Sequence, residues 1–202
     1  MRNIHTTKYD EMPDYKYSKT WFLYSEINLT LKNFLDATKE NHILEIGCFE
    51  GLSSVFFADN FLDHPNSTLT CVDPFLTLEN NDHRHFLQNN EESNFDYNLS
   101  VCKNSEKIIV HKVTSDEFFK TVVSVDKKYN FIYVDGCHEA DFIKRDMDNS
   151  FRCLTNGGIM WMDDYCGGDG IQNKNAMHSF LDKYTGRHEV IHMGYQLAIK
   201  KY

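Results

Sequence analysis

The chain has 202 residues, 41% hydrophobic and 25% charged, enough for one domain that buries a core without disulfides or a structural metal. Its formal net charge of −9 argues against a nucleic-acid partner, because phosphate-backbone binding leans on a dense basic footprint. No apolar run reaches the roughly 20 residues that span a bilayer, and Met1 to Lys19 lack the apolar core of a signal peptide. A cytoplasmic protein with no membrane partner is therefore expected. Cys48, Cys71, Cys102, Cys137, Cys153 and Cys166 form no C-x-x-C pair, which points to free thiols.

Residues 1–20 read as a tyrosine-rich arm. Trp21–Lys39 carries Phe22, Ile27, Leu29, Leu31, Phe34 and Leu35 at helical spacing and predicts a helix beside the sheet. Arm and helix fill 1–40, ahead of a domain over 41–202. From there short β-type runs alternate with amphipathic stretches. Strands are predicted at His42–Ile46, Thr68–Val72, Lys107–His111, Phe131–Asp135 and Gly158–Met162. Helices are expected at Leu52–Phe61, Asn81–Val101, Ser115–Val123, Glu139–Cys153 and Ile171–Tyr184. His188–Met193 and Gln196–Lys200, joined by Gly194 and Tyr195, predict a hairpin. The expected fold is α/β: a Rossmann-like, seven-stranded, mostly parallel sheet with helices on both faces and a C-terminal antiparallel hairpin. Two polar segments, Thr77–Asn98 and Gly167–Asn175, follow carboxyl ends of strands, where open α/β sheets bind ligands.

Glu45-Ile46-Gly47-Cys48-Phe49-Glu50-Gly51 lies where the first strand turns into the first helix. Glycines there let the backbone approach a ligand and adopt positive φ. The spacing is not G-x-G-x-x-G, which disfavours a nicotinamide dinucleotide. Glu45 suits a ligand with an ammonium group, and Ser53 could donate to its carboxylate. About 20 residues on, Asp73 ends the second strand, where a carboxylate accepts ribose hydroxyls. Ser115 and Asp116 follow the third strand, where an adenine edge would lie, although an Asp after a strand is often only a helix cap.

Asp135 ends the fourth strand, with His138 three residues on, and Asp163 and Asp164 end the fifth. Strands one and four straddle the switch point of such a sheet, so these carboxylates should converge beside the cofactor. Crowded carboxylates repel unless neutralised, and a hard divalent cation such as Mg²⁺ is the natural neutraliser. The bland alternative leaves Asp163 and Asp164 solvating a loop and His138 on the surface.

Leu44 to Ser53, Val72-Asp73-Pro74-Phe75, Val134-Asp135-Gly136-Cys137-His138 continuing through Asp146, and Gly157-Gly158 through Asp163-Asp164-Tyr165 resemble class I S-adenosylmethionine-dependent methyltransferases. The branch they look most like contains the macrocin-type O-methyltransferases of sugar hydroxyls. The resemblance implies S-adenosylmethionine held by Glu45, Gly47, Gly51, Ser53, Asp73, Ser115 and Asp116. It implies a divalent metal on Asp135, Asp163 and Asp164, with His138 or a nearby carboxylate as proton acceptor. One departure is that Cys48, Phe49 and Glu50 fill a loop where many relatives carry another glycine.

The expected reaction is in-line methyl transfer to a hydroxyl of a sugar or similar small diol. The partner is a small molecule, a sugar or nucleotide-sugar, and a homo-oligomer is left open. Gly167–Asn175 is expected to close over the site as a lid. The rivals are a metal-independent methyltransferase on another acceptor and a non-catalytic nucleoside-binding module.

Overall fold

The computed structural model describes residues 15–75, 90–124, 128–167 and 171–202. Seven strands form one sheet: β1 (His42–Ile46), β2 (Thr68–Val72), β3 (Ile108–His111), β4 (Tyr129–Val134), β5 (Leu154–Met162), β6 (His188–Met193) and β7 (Leu197–Lys201). Their order is β3-β2-β1-β4-β5-β7-β6. The first five strands pair in parallel, and β7 runs antiparallel between β5 and β6. The Rossmann-like sheet with its terminal hairpin is as the sequence predicts.

Six α-helices accompany the sheet in the described residues: α1 (Glu26–Thr30), α2 (Leu52–Phe61), α3 (Glu91–Val101), α4 (Ser115–Ser124), α5 (Ala140–Cys153) and α6 (Ile171–Lys183). Successive strand residues point to opposite faces, so the near-continuous apolar runs of β1, β4 and β5 feed two separate cores. Ile43, Phe131, Tyr133 and Trp161 pack with Phe57 of α2 and Phe95 of α3. Leu44, Ile132, Val134 and Met160 pack with Phe118 of α4, Met147 of α5 and Phe180 of α6. Among the described residues, no helix is long and apolar enough to cross a membrane.

Trp21–Lys39 is not the single helix expected. It divides into a 3₁₀ turn (Trp21–Tyr24), α1 and a second 3₁₀ turn (Leu31–Asn33). Ser25 is extended, and its hydroxyl accepts the Asn28 N–H at 3.3 Å while the Asn28 amide donates to the Leu23 carbonyl at 2.8 Å. Such side-chain bonds compete with a continuous helical ladder. Ile27, Leu31 and Leu35 nevertheless reach the core.

Strand β5 begins at Leu154, earlier than predicted, because its register slips between Tyr129 and Phe131 of β4, with Gly157 at φ +79° opposite the irregularity. Residues 1–14, 77–89 of the segment Thr77–Asn98, and 168–170 of the expected lid lie outside the described residues. Ile171 to Asn175 form the start of α6, where the sequence predicts a helix from Ile171.

Candidate active site

The carboxyl rim of the sheet is set by hydrogen bonds that carry the strand ladders one residue further. The Gly47 N–H donates to the Val72 carbonyl (2.9 Å) and the Asp135 N–H to Ile46 (2.8 Å). The Asp163 N–H donates to Val134 (3.0 Å) and the Asp73 N–H to His111 (3.2 Å). Gly47, Asp73, Asp135 and Asp163 therefore stand along one edge, as their placement in the sequence implies. Gly47 has φ +84°, and a Cβ there would overlap the Asp135 carbonyl oxygen. Only glycine satisfies both conditions.

Asp73 holds the loop between β1 and α2. One carboxylate oxygen accepts the N–H groups of Cys48 (2.8 Å) and Phe49 (3.1 Å), and the other accepts that of Phe75 (2.8 Å). Glu45 points into the layer beneath α2, where it is fully buried and accepts hydrogen bonds from Ser53 and Ser54. Burial, aided by Asp135, pushes its carboxyl up to about 7 despite those two donors. Ser53 thus serves Glu45 rather than standing free for a ligand carboxylate, which corrects the role the sequence suggested for it.

Glu50, the residue that departs from the glycine-rich pattern, is buried and ties three segments together. Its carboxylate accepts the Ser18 N–H and hydroxyl and the Asn94 amide, and its carbonyl accepts the Asn98 amide. Next to it Phe49, at φ +49°, stacks on Trp21 with ring centroids 5.9 Å apart. The chain preceding α1 is thereby pinned against the glycine loop. Only the unusual acid within a glycine loop hints at this in the sequence.

The second cluster brings His138 between two carboxylates, its Nδ1 at 2.6 Å from Asp164 and its Nε2 at 3.6 Å from Asp135. Tyr133 donates to Asp135 at 3.0 Å, Tyr195 donates to Asp164 at 2.7 Å, and the Gln196 amide donates to Asp163. Gln196 is itself oriented by the Trp161 indole (3.0 Å) and the Ile27 N–H (2.8 Å), both donating to its carbonyl. Desolvation opposes a charge on the ring of His138, which remains exposed, but its bonds to Asp135 and Asp164 outweigh this and push the ring up to about 11. Asp164 is burdened by burial yet held below its ordinary value by His138. Asp163, half-buried and facing Asp135, is pushed up to about 8 by desolvation and by that carboxylate.

The two carboxylates around His138 favour its charged form, which stands against the proton-acceptor role while both contacts hold. The three carboxylates also do not close around one point. Among the described residues, only Glu45, Cys48 and Cys71 place one ligand atom each within 4.8 Å of one another. Asp135, Asp163 and Asp164 are not among such groups, and the ring of His138 lies between Asp135 and Asp164. Asp116 is paired with Arg145 at 3.3 Å, and burial pushes the carboxyl of Asp146 up to about 6 although nearby Ser115 lowers it.

A glycine loop after β1, an acid at the tip of β2 and a parallel sheet closed by an antiparallel hairpin together define the class I methyltransferase framework. A methyltransferase-domain family model matches residues 44–165, and the chain belongs to that family as an S-adenosylmethionine-dependent methyltransferase. No curated protein matches the sequence. Among solved structures, the O-methyltransferase TomG from Streptomyces achromogenes, in complex with SAM, is similar at TM-score 0.63 and 16% identity, covering 96% of this chain and 85% of that one. The TDP-rhamnose 3'-O-methyltransferase CalS11 of calicheamicin biosynthesis is similar at TM-score 0.59 and 13% identity, covering 86% and 76%. MycE of the mycinamycin pathway, in complex with Mg and SAH, is similar at TM-score 0.59 and 15% identity, covering 87% of this chain and 49% of that one.

Proposed function

We propose that the chain methylates oxygen, on one hydroxyl of a sugar or similar small diol, as the macrocin-type branch does. The observation that carries this reading is the Asp135, His138, Asp163, Asp164 cluster, set beside the glycine loop on the rim where the cofactor binds. A neutral hydroxyl is a poor nucleophile and must lose its proton near the transition state. Asp163, whose proton affinity is raised by desolvation and by Asp135, is a stronger base than an ordinary carboxylate once it has released its own proton. Asp135 and the charged His138 would hold a neighbouring hydroxyl and fix the attacking oxygen's direction. S-adenosylmethionine supplies an electrophilic methyl group. Gly47, Gly51 and Asp73 form its cradle, Glu45 and Ser53 support that cradle from beneath, and Ser115 and Asp116 border the base. The likeness to CalS11, a TDP-rhamnose 3'-O-methyltransferase, adds weight to a sugar or nucleotide-sugar acceptor.

A second reading gives the cluster a divalent cation such as Mg²⁺. It is favoured by the closeness of Asp163 to Asp135, a repulsion that raises its proton affinity and that a cation would relieve. His138 would first have to leave Asp135 and Asp164. An acceptor screen of sugars, nucleotide-sugars, catechols and amines, read as S-adenosylhomocysteine release, tests the proposal. Turnover with vicinal diols supports it, and turnover confined to amines or carboxylates overturns it.

A further inference from the structure

Glu45 of β1 and Cys71 of β2 are register partners in neighbouring parallel strands, so their side chains emerge on one face of the sheet. The glycine loop brings Cys48 to the same place, in the core shared with Phe57 of α2. Both cysteines are free thiols, at 2% and 0% exposure, and Glu45 is fully buried. One atom from each side chain, two sulfurs and a carboxylate oxygen, lie within 4.8 Å of one another. The Cys71 sulfur stands 3.7 Å from Oε2 of Glu45. Around a tetrahedral zinc ion, a sulfur at about 2.3 Å and an oxygen at about 2.0 Å are separated by roughly 3.5 Å, so this pair already has nearly the spacing of two metal ligands. Ser53 and Ser54 donate to the two oxygens of Glu45, as outer partners do when they orient a metal-binding carboxylate. Burial pushes both thiols up and the Glu45 carboxyl up to about 7. A dication can take the place of their protons, because it compensates the charges that burial disfavours.

We propose that Glu45, Cys48 and Cys71 form a closed structural site for a thiophilic divalent cation of the zinc class, which displaces the two thiol protons and ties the glycine loop to β1 and β2. Thiolate ligands select such ions over Mg²⁺. Structural sites of this kind are sealed and need no open channel, since the ion enters as the layer assembles and its binding is coupled to folding. Ser54, which donates to Glu45 and also favours the thiolate of Cys71, is placed to supply a fourth ligand. Cys48 and Cys71 stand too far apart in the sequence to form a C-x-x-C pair; the pairing of β1 with β2 is what joins them. The inference concerns the layer under the loop and stands apart from the identity of the acceptor.

The full chain, stripped of metal and refolded from urea in the presence of Co²⁺, tests this. Cobalt held by the two thiolates is expected to give a thiolate-to-metal charge-transfer absorption, abolished by Zn²⁺ and unaffected by excess Mg²⁺. Cys48→Ala and Cys71→Ala should each lose that band, and a double variant of the more accessible thiols, Cys137→Ala with Cys166→Ala, should keep it. Zn²⁺ should also raise the melting temperature of the unmodified protein, because an ion that binds only the folded state stabilises it. Absence of the band in the unmodified protein would overturn the assignment without recourse to any variant. A band that persists in Cys71→Ala, or that disappears in the Cys137→Ala, Cys166→Ala double variant, would put the metal on other thiols, and the proposal fails.

Discussion

Glu45 offers a direct test of how the site is built, because its chemistry is read in stability rather than in turnover. Burial with Asp135 nearby raises its carboxyl from 4.5 to about 7. Between those two values the folded protein keeps a proton that the unfolded chain has already released. Stability therefore falls as pH rises through that interval and levels off above the folded value. At about 1.4 kcal/mol for each ten-fold change, the displacement corresponds to about 3 kcal/mol. Glu45→Gln keeps the size of the side chain and an oxygen for one of the two serines but cannot ionise. Urea denaturation of both proteins from about pH 4.5 to about pH 8 should show the parent losing about 3 kcal/mol more than the variant. Other titrating groups, Asp163 and Asp146 among them, are common to both proteins and largely cancel in the comparison. Parallel profiles would refute the claim that Glu45 is a buried acid held by Ser53 and Ser54.

Gly47→Ala should destabilise the fold severely, since the new methyl group would overlap the Asp135 carbonyl at a φ of +84°; a melting temperature within a degree or two of the parent's would contradict this. Asp73→Ala frees the Cys48 and Phe49 N–H groups and should weaken S-adenosylhomocysteine binding by about ten-fold, measured by calorimetry. With His138 supplying the positive charge, turnover should survive exhaustive chelation; its loss with cofactor affinity intact would establish the cation reading. His138→Ala leaves Asp135 and Asp164 without that charge and should slow turnover while cofactor affinity stays unchanged, which separates a role at the acceptor from one at the cofactor.

Much of the framework is legible in the sequence because it rests on local patterns. The apolar runs of β1, β2 and β4, the glycine turn after β1 and the Gly194 hairpin each declare themselves within a few residues. Placement of Asp73, Asp135 and Asp163 on one rim follows from topology alone, once those strands are parallel neighbours. What the sequence conceals is pairing. The state of His138 depends on Asp164, 26 positions away, and on Tyr195 and Gln196 of the hairpin, which hold Asp164 and Asp163 in place. No periodicity records such contacts. Glu45 misleads for a related reason: its spacing before Gly47 suggests an exposed acid, while alternation along β1 turns it inward under α2. The segment before β1 shows the limit of helical spacing, since Ile27, Leu31 and Leu35 reach the core although Ser25 and Asn28 break the helix.

The central claim, methyl transfer to oxygen at the Asp135–Asp163 rim, is tested most directly by single turnover with S-adenosylmethionine labelled with carbon-13 in the methyl group. The best acceptor from the screen should emerge carrying the label as an O-methyl ether, identified by its carbon–proton correlations, in equal amount to the S-adenosylhomocysteine formed. Asp163→Asn should form neither product at an appreciable rate while still binding the cofactor. Label on nitrogen or on a carboxylate, or an Asp163→Asn variant as fast as the parent, would contradict the account.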